Sequence, residues 1–248
     1  MKNPLSLEER LDCWHSIVHD FGNVSMLMSD GISKLETFEF SSKHKNYLAK
    51  KLGDKFKHML RIFDACRSIS SDDIFLERYS QENIFGMLFE LTGLAASVYK
   101  KTGIMVTAYK IDPLPSNLSM LCAAVYNLVK NSCKENAGNS LNVTINVARY
   151  SGEIANALYM PAGMEGKDCV SFTVHDDGIG FSPGKISGDL LKKQDMSKQL
   201  SGFGLYYVGL VCKALQCAFS VESQKGSTTA TIYHPLDLGI RMATAQQN

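Results

Sequence analysis

The sequence predicts an α plus α/β chain in two parts: an N-terminal helical hairpin that pairs with a second copy into a dimeric four-helix bundle, then an α+β sandwich. Three observations predict this. An apolar heptad runs through the first 35 residues, a second apolar helical stripe follows a short break, and helix-period and strand-period segments alternate from about residue 74.

The first helix opens on a capping box, Ser6 followed by Glu9, in which side chains satisfy the free amides of a helix start. Behind it Leu7, Leu11, Trp14, Val18, Phe21, Ser25, Met28, Ile32 and Leu35 are spaced alternately four and three apart, a seam that needs a partner helix. The pattern breaks over 37–42, and Leu48, Leu52, Phe56, Met59, Phe63 and Cys66 then share one face of a second helix. Two helices alone bury little, so two hairpins are expected to pair as a homodimer; the alternative is that the hairpin packs on its own C-terminal domain.

The polar stretch from Arg67 to Asp73, with serines and aspartates in a row from Ser70 to Asp73, is the expected linker, giving a hairpin domain at 1–73, a second domain at 74–237 and a tail at 238–248. The second domain is expected to carry helices at 81–102, 117–137 and 204–214, with strands at 104–111, 141–150, 169–175, 218–223 and 228–233.

Composition narrows the function classes. The 248 residues carry 26 basic and 25 acidic side chains, a formal net charge of +1, so no field favours nucleic acid or an anionic membrane. The seven cysteines are scattered and never form a Cys-x-x-Cys pair, which reads as buried thiols in a reducing cytosol. No apolar stretch approaches the roughly 20 residues that span a bilayer, and 1–10 is polar rather than signal-like. The expectation is a cytoplasmic protein with no membrane sensor of its own.

Four elements of the second domain could carry chemistry. Asn127 and Asn131 lie four apart, on one face of an apolar helix, where two amides want partners; a phosphate-bound Mg²⁺ would serve, and so would water. Asp176-Asp-Gly178-Ile-Gly180 follows a strand and is either a plain loop or a turn that brings backbone close to a ligand. Gly202-Phe-Gly204-Leu205 opens a helix, where free amides and the helix dipole favour an anion. Gly226-Ser-Thr228-Thr-Ala-Thr is a turn into a last strand, and ordinary hairpin chemistry accounts for it equally well.

Taken in this order, the four elements resemble the ATP-binding domain shared by histidine kinases and by the gyrase, mismatch-repair and heat-shock chaperone ATPases. The resemblance covers roughly Phe75 to Pro235 and implies a sandwich of the histidine-kinase ATPase type. Asn127-Leu-Val-Lys-Asn131-Ser is similar to the family's asparagine box, Asp176 to Gly180 to its first glycine box, Gly202 to Leu205 to its second, and Gly226 to Thr231 to its closing turn. By that resemblance Asn131 would ligate Mg²⁺, Asp176 would bind the adenine amine and Lys134 would approach the phosphates of ATP. Asn127 stands where hydrolytic members keep a glutamate base, and an amide takes no proton from water. That favours a kinase over an ATPase.

On the first helix, His19-Asp20-Phe-Gly-Asn23 resembles the phosphoacceptor box of histidine kinases. Val18 and Phe21 belong to the seam, so His19 is expected beside it and toward solvent. Asp20 could hold the proton of one ring nitrogen and leave the other as nucleophile, and Asn23, one turn on, could position water for a phosphatase reaction. Alone, His19 is an ordinary exposed helical histidine, and His15 is its rival one turn earlier. The combination implies autophosphorylation of His19 from ATP, transfer to a response-regulator receiver domain, and a separate upstream sensory protein. Leu200, Glu135 and a short lid at 182–201 depart from the family pattern. The alternative function is a histidine phosphotransferase that relays phosphate through His19 beside a degenerate ATP-binding domain.

Overall fold

The computed structural model describes residues 1–37, 41–99, 102–136, 140–181, 186–191 and 203–238; the side chains of some helical residues within these ranges, 15–24, 135 and 203 among them, lie outside the description. Two long helices come first, α1 at Leu7–Thr37 and α2 at Ser42–Ser70. The capping box forms: Ser6 N donates to Glu9 Oε2 at 2.8 Å, and Glu9 N to Ser6 Oγ at 3.2 Å. The two helices pack on each other as a hairpin.

After α2 come β1 (Glu77–Tyr79), α3 (Gln81–Val98), β2 (Thr102–Ala108), β3 (Leu114–Ser116), α4 (Leu118–Glu135), β4 (Leu141–Tyr150), β5 (Ala157–Tyr159) and β6 (Cys169–Asp176). The last elements are α5 (Phe203–Leu215), β7 (Ala218–Gln224) and β8 (Ser227–Pro235). Six strands form one sheet in the order β2-β4-β6-β8-β7-β5, parallel at β2/β4 and antiparallel elsewhere, while β1 and β3 make a separate two-stranded ribbon. This is the α/β sandwich expected.

Strand alternation explains the layering. Along β4, Leu141, Val143, Ile145 and Val147 are buried while the residues between them are not, which gives the sheet one apolar face. That face meets α3, α4 and α5, and Phe172, Phe219, Ile232, Leu88, Leu121 and Leu215 fill the space between. Each such side chain contributes about 1.5–3 kcal/mol when fully buried. The base of the hairpin joins the same core through Leu5, Cys13 and Ile69.

The element boundaries differ from expectation in instructive ways. The first strand of the large sheet covers Thr102–Ala108 rather than 104–111, and the preceding helix stops at Val98 rather than 102. Ile111 is buried outside any strand, and its amide is taken up by the Gln81 side chain at 3.3 Å, so burial did not require a ladder. The buried strand β3 carries Pro115, a residue that argues against a central strand but is tolerated in a two-stranded ribbon. The expected linker, Arg67 to Asp73, is helical as far as Ser70, where it ends α2, and the rest is stitched down. Asn3 Nδ2 donates to Ile69 O and Ser71 O at 2.7 and 2.9 Å, Arg10 to Asp72 at 2.7 Å, and Met1 and Ile74 exchange backbone bonds at 3.0 and 2.7 Å. Among the described residues no helix is long and apolar enough to cross a membrane.

Candidate nucleotide site and the helix that faces it

α4 starts where Asn117 caps it. Its Oδ1 accepts from Met120 N at 3.1 Å, while its amide donates to Ser68 Oγ at 3.0 Å and Phe75 O at 3.1 Å, which ties the helix to the end of α2. So anchored, α4 carries its polar face along the end of β6. Asn127 is half-buried and donates to Ala123 O one turn back at 2.9 Å, a bond within its own helix. Asn131 is half-buried and lies against the start of α5. A side-chain carbon at Gly204 would stand 2.8 Å from Asn131 Oδ1, so glycine is what lets the second glycine element approach the asparagine. Leu205 is half-buried against the core, Lys134 is exposed on the last turn of α4, and Gly202 lies outside the described residues, as do Leu200 and most of the lid.

Asp176 ends β6 and is buried, with 4 % exposure. Its Oδ2 accepts from Ser132 Oγ at 2.6 Å and its Oδ1 from Gly178 N at 3.0 Å. Each carboxylate oxygen retains a lone pair after one bond, so the group can still accept from an amine. Thr228 sits directly opposite Asp176 on β8.

The loop after Asp176 is held from three sides. Asn136, at the end of α4, takes Ile179 N at 2.9 Å, donates to Ser132 O at 2.8 Å, and fills the space beside Gly178. Asn142 donates to the two Asp177 oxygens from its backbone and side-chain nitrogens at 2.7 and 2.6 Å, and these bonds, the backbone one foremost, hold the Asp177 carboxyl below the usual range. Phe181 N donates to Ser223 Oγ at 2.8 Å, and Ser223 Oγ lies 3.0 Å from Thr228 Oγ1. Thr228 thus braces the loop through Ser223. Gly180 has φ +74°, and any side chain there would collide with the Gln224 carbonyl.

Asn131, Asp176, Gly178, Gly180, Gly204 and Thr228 therefore come together from four separate sequence elements. Ser132, Asn136, Asn142, Asp177 and Ser223 complete the arrangement and were not anticipated. One signal was available for Asn136, a polar residue at a helix end whose last carbonyls need donors.

The N-terminal box is placed by its backbone. His19, Asp20 and Asn23 belong to α1, and their side chains lie outside the described residues. Below them α1 meets α5: Lys213 Nζ donates to Glu9 Oε1 and Oε2 at 2.8 and 2.9 Å, and the Tyr206 hydroxyl donates to Asp12 Oδ2 at 3.0 Å. Burial works to raise the Glu9 carboxyl, but the bonds from Lys213 and Ser6 outweigh it and the group sits below its ordinary value. Burial first, then the Asp12 carboxylate, pushes the Tyr206 hydroxyl well up.

Comparison with known proteins finds one family match and several distant structural neighbours. Residues 117–238 match the family described as histidine kinase-, DNA gyrase B-, and HSP90-like ATPase. Among solved structures, the histidine kinase AdeS of Acinetobacter baumannii aligns at 11% identity and a TM-score of 0.45, over 88% of this chain and 98% of that one. The histidine kinase domain of the Erythrobacter litoralis EL346 blue-light activated histidine kinase aligns at 11% identity and 0.43, over 86% and 96%. The mycobacterial sensor histidine kinase MprB aligns at 20% identity and 0.43, over 60% and 92%. No curated protein sequence matches. The asparagine helix, the Asp-x-Gly-x-Gly loop and the second glycine element meet at one end of the sandwich, all within the segment 117–238 that matches the model described as histidine kinase-, DNA gyrase B-, and HSP90-like ATPase.

Proposed function

We propose that this protein is a histidine kinase: domain 74–237 binds ATP, and the γ-phosphoryl group passes to His19 on the hairpin at 1–73 and from there to a response-regulator receiver domain. The observation that carries the reading is the convergence of Asn131, Asp176 and Gly204 within a segment that matches the ATPase family. Asp176, fixed by Ser132 and the Gly178 amide, accepts the adenine amine; the amides opening α5 at Gly204 and Leu205, with those expected at Gly202, face the phosphates. Lys134, exposed near this end of α4, is free to swing toward them.

Asn131 offers an amide oxygen, the kind of ligand Mg²⁺ takes, and among the described residues no three His, Cys, Asp or Glu side chains group as a metal site by themselves. A Mg²⁺ carried in on the phosphates fits one protein oxygen, and it would neutralise charge on the transferred group. Asn127 has its amide committed to Ala123 O and contains no base, so nothing at that position activates water for hydrolysis.

At the acceptor, a lone pair on one His19 ring nitrogen attacks the γ-phosphorus in line, the bond to the β-phosphate oxygen breaks, ADP departs, and Asp20 holds the proton of the other nitrogen. In a separate hydrolysis, Asn23 would orient a water that attacks the phosphorus of the receiver's phospho-aspartate, breaking its bond to the carboxylate oxygen and releasing inorganic phosphate. Two copies pair through the hairpin. Leu7, Leu11, Trp14 and Ile32 on α1, with Phe56 and Phe63 on α2, are seam residues that stand exposed in the single chain. The buried free thiols suit a cytoplasmic setting, and a separate sensory protein would supply the input.

The test is nucleotide binding joined to phosphorylation. ATP with Mg²⁺ is expected to raise the melting temperature of the wild-type protein and to leave Asp176→Asn unmoved, since only a ligand of the folded state stabilises it. γ-Labelled ATP is expected to label wild type and not Asp176→Asn. A protein whose melting temperature ignores ATP and which takes up no label would end the kinase reading.

A further inference from the structure

The two contacts between α1 and α5 also fix a direction. Lys213 pairs with Glu9 and Tyr206 with Asp12, so the step from Lys213 toward the start of α5 matches the step from Glu9 up α1. The N-terminal end of α5, where Gly204 meets Asn131, therefore points toward the His19 end of α1. His19 follows Asp12 by seven residues in an unbroken helix. Two turns place it on the same face of α1 as Asp12 and about 10 Å further along. Gly204, two residues before Tyr206, lies about 3 Å further along α5 in the direction that leads toward the His19 end of α1.

Among the described residues, the joint between the two parts is closed by buried and hydrogen-bonded contacts. The Asp12–Tyr206 contact is buried, with 6 % and 9 % exposure, and Cys13 beside it belongs to the sandwich core. Met1, Asn3 and Arg10 bond across to 69–74, where the hairpin hands over to the sandwich, and splint that crossing. The sandwich thus stays over α1 of its own chain.

Building on the kinase reading above, we propose that Glu9 and Asp12 are positioning residues: they dock the ATP-binding domain through Lys213 and Tyr206 on its own α1, so that phosphorylation of His19 runs within one chain and not across a dimer. Neither residue belongs to the group that Asn131, Asp176 and Gly204 form. They set how far, and at which face, the phosphates stand from His19.

The experiment co-expresses two differently tagged full-length chains, His19→Gln and Asp176→Asn, purifies the mixed assembly and adds γ-labelled ATP with Mg²⁺. Transfer within a chain predicts no label in this mixture, and label on the wild-type chain alone when wild type is mixed with Asp176→Asn. Label on the Asp176→Asn chain in either mixture overturns the proposal. Absence of label from wild type alone is a different result, because it removes the kinase reading itself. For the docking role, Lys213→Glu is expected to slow labelling about tenfold or more at saturating ATP with KM for ATP unchanged, and Lys213→Arg to keep the wild-type rate. A Lys213→Glu protein that labels at the wild-type rate, or whose loss lies in KM alone, contradicts it.

Discussion

Gly180 shows how a single residue sets the loop that follows β6. Its φ of +74° and the Gln224 carbonyl beside it leave no room for a side chain. Gly180→Ala is expected to cost more than about 1–2 kcal/mol of stability, read as a lower denaturant midpoint, and to weaken ATP binding; an unchanged midpoint would mean that the loop is not built this way. His234 makes a second residue-scale prediction. It is fully buried, with Nδ1 2.9 Å from Pro235 O and Nε2 3.1 Å from Ser116 Oγ, and burial pushes its imidazole down to about 4. As a base with a depressed folded pKa, it leaves the folded chain with fewer protons than the unfolded chain between pH 6.5 and about 4. Its contribution to stability is whole above that window and is lost as pH falls through it, with a slope of up to about 1.4 kcal/mol per pH unit. Equilibrium unfolding of His234→Gln across this range should show a shallower pH dependence than wild type, by about one proton. Identical slopes would be the contrary result.

At the scale of elements, the hairpin carries the clearest consequence. Leu11 and Phe63 are each half-exposed in one chain, at 50 %, although both belong to an apolar seam. Leu11→Glu with Phe63→Glu is expected to raise the dimer dissociation constant about 100-fold or more, close to 3 kcal/mol, and sedimentation should then find monomer; a wild type that sediments as monomer would contradict the bundle. Periodicity made the hairpin and β4 legible, because heptad spacing and strict alternation are local signals. β3 was not legible, since Pro115 speaks against a strand and only the antiparallel partner at Arg78 makes it one. In the site, Asp176 and Gly180 could be read from a motif. Asn142, Asp177 and Ser223 could not, because their pairings follow from a register that brings β4, β6, β7 and β8 side by side.

The whole molecule is governed by the joint between its halves. The hairpin base shares Leu5, Cys13 and Ile69 with the sandwich core, the Glu9–Lys213 and Asp12–Tyr206 contacts join α1 to α5, and His19 follows Asp12 by seven residues along α1. Lowering the pH toward the protonation of Glu9, whose carboxyl is held below its ordinary value, removes the negative half of one of those contacts. Since the folded pKa is depressed, that contribution is present above the ordinary glutamate range and is lost as pH falls through the folded value. In the proposed kinase reaction, phosphate from ATP arrives at one residue, His19. The most direct measurement is to label wild type, His15→Gln and His19→Gln with γ-labelled ATP and Mg²⁺ and to locate the label by peptide mapping under alkaline conditions. The account predicts an acid-labile, alkali-stable phosphoryl group on the peptide containing His19 in wild type and in His15→Gln, and none in His19→Gln; label that survives in His19→Gln would contradict it.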